Sequence, residues 1–428
     1  MTYEECLEYL YERLPMFQRQ GAAAIKKDLT NTVRLLEAMG NPHEQFQAVH
    51  IAGTNGKGTS AHALAAVLQQ AGYKTGLYTS PHLKSFTERI RLNGHEIPQA
   101  DVAAFVSQHR RVIEGINPSF FEVTVAMAFE FFAKQEVDIA IIETGLGGRL
   151  DSTNVITPLV SLITMIGYDH ADLLGDTLEQ IAAEKAGIIK QGVPVVIGAD
   201  QPELLPVFSR VAEAKGAPLH GVGAYSIRGK SLVNGRRSFE LSKNGEGVLK
   251  GDSDIAADYF LKNIPGIWET LQVLKAQGFV LSETDIKAGL GSIATTTGLK
   301  GRWQVLESAP AVVADVSHNE AGVSTLVQQI ASTQFEQLHL ILGMVRDKEI
   351  GKVMALLPAN ASYYFTQSSV PRSLPAADLK RLAADLNKVG EAFTNVNEAL
   401  ISAKKNATEN DLIVVCGSTF VVAEIDHL

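Results

Sequence analysis

The residues best suited to chemistry come in one run, Gly53-Thr54-Asn55-Gly56-Lys57-Gly58-Thr59, between the apolar stretch AVHIA and the helical pattern SAHALAAVLQQAG. Glycines let backbone N–H groups curl around phosphate oxygens, and a helix start adds partial positive charge. Lys57 would then reach β- and γ-phosphates, and the Thr59 hydroxyl would meet Mg²⁺. The spacing departs from GxxxxGK[ST], because Ile51 takes the first glycine position and Gly58 separates Lys57 from Thr59. Strand, loop and helix in that order point to nucleotide binding, the plain alternative being a glycine-rich turn with a solvated lysine. A GxGxxG fingerprint for dinucleotides is absent from this loop.

Further candidates stand at the ends of apolar runs, where open parallel sheets gather their ligands. Ser80 follows KTGLYT, Glu143 ends VDIAIIE, and Asp169-His170 follow LVSLITMIGY. A hydroxyl and a carboxylate are hard donors suited to Mg²⁺, and an imidazole can join a second ion. Singly, each has a plain reading: a turn serine, a solvated strand end, a surface histidine. Beside a phosphate loop the metal reading gains. Lys185, in TLEQIAAEKAGIIK, reads by pattern alone as a solvated lysine. Arg302 follows the segment SIATTTGLK, and Asp315 ends a strand in DVSHN. A phosphate clamp and a ribose contact are open to them, as are a surface arginine and a helix-capping aspartate.

These positions need a scaffold of strands covered on both faces. QAVHIAG, VDIAIIE, LVSLITMI and VPVVIG are continuous apolar runs that alternate with helical patterns, the texture of an α/β fold with a mostly parallel sheet. FFEVTVAMAFEFFA, from Phe120, is apolar all round and predicts a buried helix. Residues 221–249 turn to short polar-apolar segments, predicting a small antiparallel excursion. SIATTTGLK (292–300) reads as a linker before the rhythm restarts, giving domains 1–296 and 297–428.

The composition narrows the partners. The 428 residues carry 38 Lys plus Arg against 47 Asp plus Glu, a formal charge of -9, which disfavours nucleic acid and anionic membranes. Two cysteines without a Cys/His cluster argue against disulfides and zinc. The N-terminal stretch is acidic and amphipathic, unlike a signal peptide, and no apolar run approaches the ~18 residues of a spanning helix. A cytoplasmic protein is expected.

GTNGKGTS, YTSPHLKSFTERIRLNG, ETGLGGRLDSTN, DHADLLGDTLEQIAAEKAGI, GRW and DVSHN, in this order, resemble the folylpolyglutamate synthase and dihydrofolate synthase family of Mur-ligase type. The resemblance implies a P-loop central domain, a smaller C-terminal Rossmann-like α/β domain, and a site in the cleft between them. It implies ATP contacts at Gly53, Thr54, Asn55, Gly56, Lys57, Gly58, Thr59, Asn263, Arg302 and Asp315. It implies two Mg²⁺ ions held among Thr59, Ser80, Glu143, His170 and Lys185, with Lys185 converted by CO₂ to a carbamate. Lys57, Lys185, His170, Arg302 and His318 take catalytic roles. The pterin pocket maps to Ser119, Phe120, Phe121 and Glu122, to Leu150, Asp151 and Ser152, and to Asp28, Leu29 and Thr30.

The implied reaction is ATP-dependent addition of L-glutamate to dihydropteroate and to reduced folates such as tetrahydrofolate, through an acyl phosphate, by a monomer. Polyglutamylation alone is the alternative within the family, and a non-enzymatic nucleotide switch the alternative outside it. Two departures stand out. Val316-Ser317 replace the usual Gly-Ala, with Glu320 in place of a proline, and Ser119 replaces threonine.

Overall fold

The computed structural model describes residues 1–16, 28–233, 235–346 and 350–428. The apolar runs become strands buried along their whole length, since β-branched and aliphatic residues on both strand faces need cover on both sides. Strands β1 (Ala48–Ala52), β2 (Thr75–Tyr78), β3 (Ile90–Leu92), β4 (His95–Glu96), β5 (Ile139–Glu143), β6 (Val160–Ile163), β7 (Val195–Ile197) and β8 (Leu219–Gly221) form one sheet. Its order is β4-β3-β2-β5-β1-β6-β7-β8. All its pairings are parallel except the antiparallel edge β2-β3-β4. The expected antiparallel excursion is a three-stranded sheet of β9 (Tyr225–Val233), β10 (Arg236–Lys243) and β11 (Glu246–Ser253).

A separate sheet, in the order β12-β13-β17-β14-β15-β16, is built from β12 (Gln304–Ser308), β13 (Ala311–Ala314), β14 (Leu338–Leu342), β15 (Ser362–Phe365), β16 (Gly390–Ala392) and β17 (Leu412–Cys416). Only β12 runs antiparallel to its neighbour. The chain divides into two compact units, Met1–Asp254 with Phe260–Gly298, and Ile255–Tyr259 with Leu299–Leu428. The short Ile255–Tyr259 segment of the second unit left no mark in the sequence texture. The stretch read as a linker holds a helix, Ile293–Thr297, because its small residues bury Ile293 and Thr297 inside the first unit.

Among the described residues, two of the cores that pack on the large sheet are distinct in their helices. One gathers the helices Tyr3–Arg13, Gln99–Ile116 and Phe120–Lys134, with Phe129 and Phe132 fully buried. Burying each such ring is worth about 1.5–3 kcal/mol. The other packs the helices Leu178–Ala186 and Leu205–Ala214 under β6 and β7. Capping boxes set where three of these helices begin: Thr2 with Glu5, Ser119 with Glu122, and Thr177 with Gln180. No helix among the described residues is long and apolar enough to cross a membrane.

Candidate active site

The phosphate loop is shaped by close approach. A Cβ on Gly53 (φ 151°) would collide with the Thr164 hydroxyl, and one on Gly56 (φ 92°) would lie 2.5 Å from Asn263 Oδ1. Only glycine fits at either place. The Thr164 hydroxyl donates to Asn55 O (2.9 Å), and the Thr54 hydroxyl both donates to Gly167 O and accepts from Gly167 N (3.0 Å each). The loop is thereby stitched to the segment after β6 that carries Asp169 and His170. Gly56 also begins the helix Lys57–Gln70, so the N–H groups of that first turn open toward the loop. Lys57 Nζ donates to Gly53 O (3.2 Å) and Thr54 O (3.3 Å), and Thr59 is buried.

Around this loop the strand ends converge as the topology of a parallel sheet requires. Glu143, 4% exposed, accepts from Ser80 N (3.0 Å), and a Cβ on Gly58 would lie 3.4 Å from its Oε2. A carboxylate, a hard donor of the kind that suits Mg²⁺, therefore lies beside the helix start. His170 sits in left-handed backbone (φ 52°), its N–H on Asp169 Oδ1 (3.0 Å) and its Nε2 3.8 Å from the same oxygen. Among the described residues no three His, Cys, Asp or Glu side chains gather around one point.

Lys185 corrects its pattern reading as a solvated lysine. The helix Leu178–Ala186 turns it inward, 3% exposed, with Nζ donating to Gly53 O at 2.8 Å. Burial, reinforced by Lys57, pulls its ammonium down to about 7, against the opposing pull of Asp169 and Asp151. Period alone could not reveal this, since Lys185 is buried by tertiary contacts.

The pterin-side candidates fall into two kinds. Ser119 and Glu122 cap their own helix: Ser119 Oγ accepts from Glu122 N (3.3 Å) and Glu122 Oε2 from Ser119 N (2.6 Å). Thr32, on the helix Thr30–Ala38, donates to Glu122 Oε1 (3.4 Å), joining the Asp28-Leu29-Thr30 segment to this cap. Thr30 N donates to Asp28 Oδ1 (2.8 Å). Phe120 packs against Tyr11 and Phe86, with the Arg89 guanidinium 5.3 Å from its ring centre. Phe121 instead lies against Tyr78 and the backbone of Gly145.

Asp151 is held by four bonds: Gly145 N and Leu146 N on Oδ2 (2.8 Å each), and Thr153 N (3.0 Å) and the Thr153 hydroxyl (2.5 Å) on Oδ1. Burial pushes its carboxyl up, and these bonds pull it down again without restoring the ordinary value. Leu150 is half-buried and Ser152 buried beside it.

In the second unit Asp315 is fully buried. Its Oδ2 accepts from Trp303 N (2.9 Å) and Tyr259 OH (2.5 Å), and its Oδ1 from Ser317 N (2.9 Å) and Ser317 Oγ (2.6 Å). Trp303 is in left-handed backbone (φ 48°), and the adjacent Arg302 donates from Nη1 to Gly301 O (3.2 Å). His318 Nδ1 lies 2.8 Å from Val316 O, and Asn319 caps the following helix. The Ser317 that departs from the family pattern is thus part of the Asp315 cage. Residues missed from sequence include His50, Thr153 and Thr164; a histidine inside an apolar strand was the available signal for His50.

The Mur ligase middle domain family matches residues 51–264, and the family of the Mur ligase glutamate ligase domain matches residues 301–419. The dihydrofolate synthase/folylpolyglutamate synthase of Bacillus subtilis (strain 168) is 31% identical over 438 residues, 99% of this chain and 98% of that protein. That of Escherichia coli (strain K12) is 32% identical over 380 residues, 88% of this chain and 85% of its own. Among solved structures, E. coli FolC in complex with DHPP and ADP superposes with a TM-score of 0.85 at 30% identity, covering 99% of this chain and 96% of that one. Mycobacterium tuberculosis folylpolyglutamate synthase complexed with ADP gives 0.89 at 28% identity, covering 98% and 96%.

Proposed function

This chain belongs to the dihydrofolate synthase/folylpolyglutamate synthase family of Mur ligases, and from that premise we propose how its site works. It is an ATP-dependent ligase that joins L-glutamate in amide linkage to dihydropteroate and to reduced folates. A carboxylate oxygen of the acceptor attacks the γ-phosphorus, the bond to the bridging oxygen breaks, and ADP leaves. The glutamate amine then attacks the acyl carbon, phosphate departs, and the amine proton passes to solvent.

Such phosphoryl transfer is governed by positioning and charge neutralisation. Lys57 would turn from the Gly53 and Thr54 carbonyls to the phosphates, with loop N–H groups cradling them. Asn263, Arg302 and Asp315 are further ATP contacts in this reading, and His318 a further catalytic candidate. Thr59, Ser80, Glu143, His170 and Lys185 would hold magnesium, supported by the hard donor beside the helix start. Bound there, the ion neutralises charge on the transferring group. The acceptor pterin is placed near Phe121, Leu150, Asp151 and Ser152. Ser119, Phe120 and Glu122, committed to capping and packing, would shape that pocket, as would the Asp28-Leu29-Thr30 segment.

The observation that carries the reading is the convergence of Lys57 and buried Lys185 on one loop carbonyl. A lysine with an ammonium near 7 offers a neutral amine at working pH. Its nitrogen would add to the carbon of CO₂, release a proton to solvent, and become an anionic two-oxygen group. Two buried free cysteines, Cys6 and Cys416, support a cytoplasmic setting, where we place a monomer with domains 1–296 and 297–428. ADP release is measured with glutamate plus either dihydropteroate or tetrahydrofolate. Release with both fits the bifunctional enzyme; release with tetrahydrofolate alone leaves polyglutamylation, and release with neither overturns the reading.

A further inference from the structure

We propose that His50 and Thr153 are positioning residues for the acceptor end of the site, forming a directed hydrogen-bond relay from β1 that holds Asp151 and, through it, the Gly145 wall against Phe121. The proposal rests on the pterin placement given above. Its direction follows from proton counting. Asp151 accepts the Thr153 hydroxyl proton at 2.5 Å, so the Thr153 oxygen is left to accept from His50, whose Nε2 lies 2.8 Å away. The Nε2 proton of a neutral imidazole fills that role. His50 Nδ1 is buried without a hydrogen-bond partner, so a proton placed there would be stranded. Burial also holds the ring neutral, pulling its imidazolium down to about 3.

The far end of the relay is the glycine-rich turn. Asp151 Oδ2 takes the N–H groups of Gly145 and Leu146 (2.8 Å each), and Gly145 closes so tightly on Phe121 that a Cβ there would lie 2.5 Å from the ring's Cζ. The phosphate loop is stitched by other residues, Thr54 and Thr164. Loosening the relay should therefore weaken acceptor binding and leave nucleotide binding nearly untouched. A general structural weakening would disturb both.

Steady-state glutamate ligation on the full chain tests this, with tetrahydrofolate and MgATP varied separately. Thr153→Val and His50→Leu are expected to raise the tetrahydrofolate KM at least fivefold, with the MgATP KM within twofold. Thr153→Ser and His50→Gln, which keep the hydroxyl and a donor nitrogen, are expected within twofold of the parent on both. The double variant Thr153→Val/His50→Leu should be no worse than the weaker single. Equal changes in both KM values, no change in either, or multiplicative loss in the double variant overturns the relay. If Thr153→Val does not fold, the two His50 variants carry the same comparison. If the parent forms no product, the function reading fails, and amide hydrogen exchange at Gly145 and Leu146 decides the relay separately. Exchange faster in His50→Leu and restored in His50→Gln supports it; unchanged exchange overturns it.

Discussion

Asp151 in the first unit and Asp315 in the second are built alike on one side and differently on the other. Each carboxylate receives on Oδ1 both the N–H and the hydroxyl of the residue two positions on, Thr153 or Ser317. On Oδ2, Asp151 takes two neighbouring turn amides, whereas Asp315 takes Trp303 N and Tyr259 OH, the latter 56 residues away. Asp315 closes a cage of distant segments in which each of these groups has its partner. Asp151 braces a local turn and hangs from a relay ending in an unpartnered imidazole nitrogen, near a lysine whose charge is costly. A satisfied network fixes the segments it joins, whereas the buried groups with unused capacity lie on the Asp151 side.

The strongest way to break the contrast is at Lys185. Lys185→Ala should lower kcat at least about 100-fold while MgATP still binds, read by turnover alongside equilibrium binding; near-normal turnover would remove the residue from the mechanism. The same lysine sets a pH dependence. Its ammonium falls from 10.5 to about 7 on folding, so below 7 the folded state bears the whole cost of a buried charge. The cost is relieved as pH rises through 7 toward 10.5. In CO₂-free buffer Lys185→Met should therefore raise Tm at pH 6, and the gain should shrink steadily toward pH 10.

Next comes the cage. Asp315→Ala strands Tyr259 OH, Trp303 N and the Ser317 groups together, and should cost about 3 kcal/mol in urea unfolding. A loss below about 1 kcal/mol would show that the cage is not needed for stability. The smallest effects come from matched hydroxyl deletions. Thr153→Val also leaves the buried His50 Nε2–H without an acceptor, and should cost about 2 kcal/mol, against about 1 kcal/mol for Ser317→Ala. Equal losses would mean that the relay adds nothing to the shared aspartate motif.

Much of the site could be read along the chain because its chemistry is written in short segments. Gly53 to Thr59 needs only a strand end, glycines and a helix start, and the structure places them in that order with Glu143 and Ser80 beside them. The helix from Phe120 was legible because an all-round apolar pattern has one packing solution. Pattern alone placed Lys185 in solvent and did not show the helix within the 292–300 stretch. The first is buried by partners up to 132 residues away, and the second folds because its few apolar side chains find a place in the core.

The sequence by itself determined the α/β alternation, the phosphate loop and the family, since contiguous residues set strand, turn and helix and the ordered motifs carry the likeness. Tertiary structure alone decided that Lys185 is desolvated, that His50 meets Thr153 across 103 residues, and that Tyr259 closes the Asp315 cage. Proton affinity and hydrogen-bond direction depend on which groups exclude water and which lone pairs are already taken. Those facts exist only once distant segments meet.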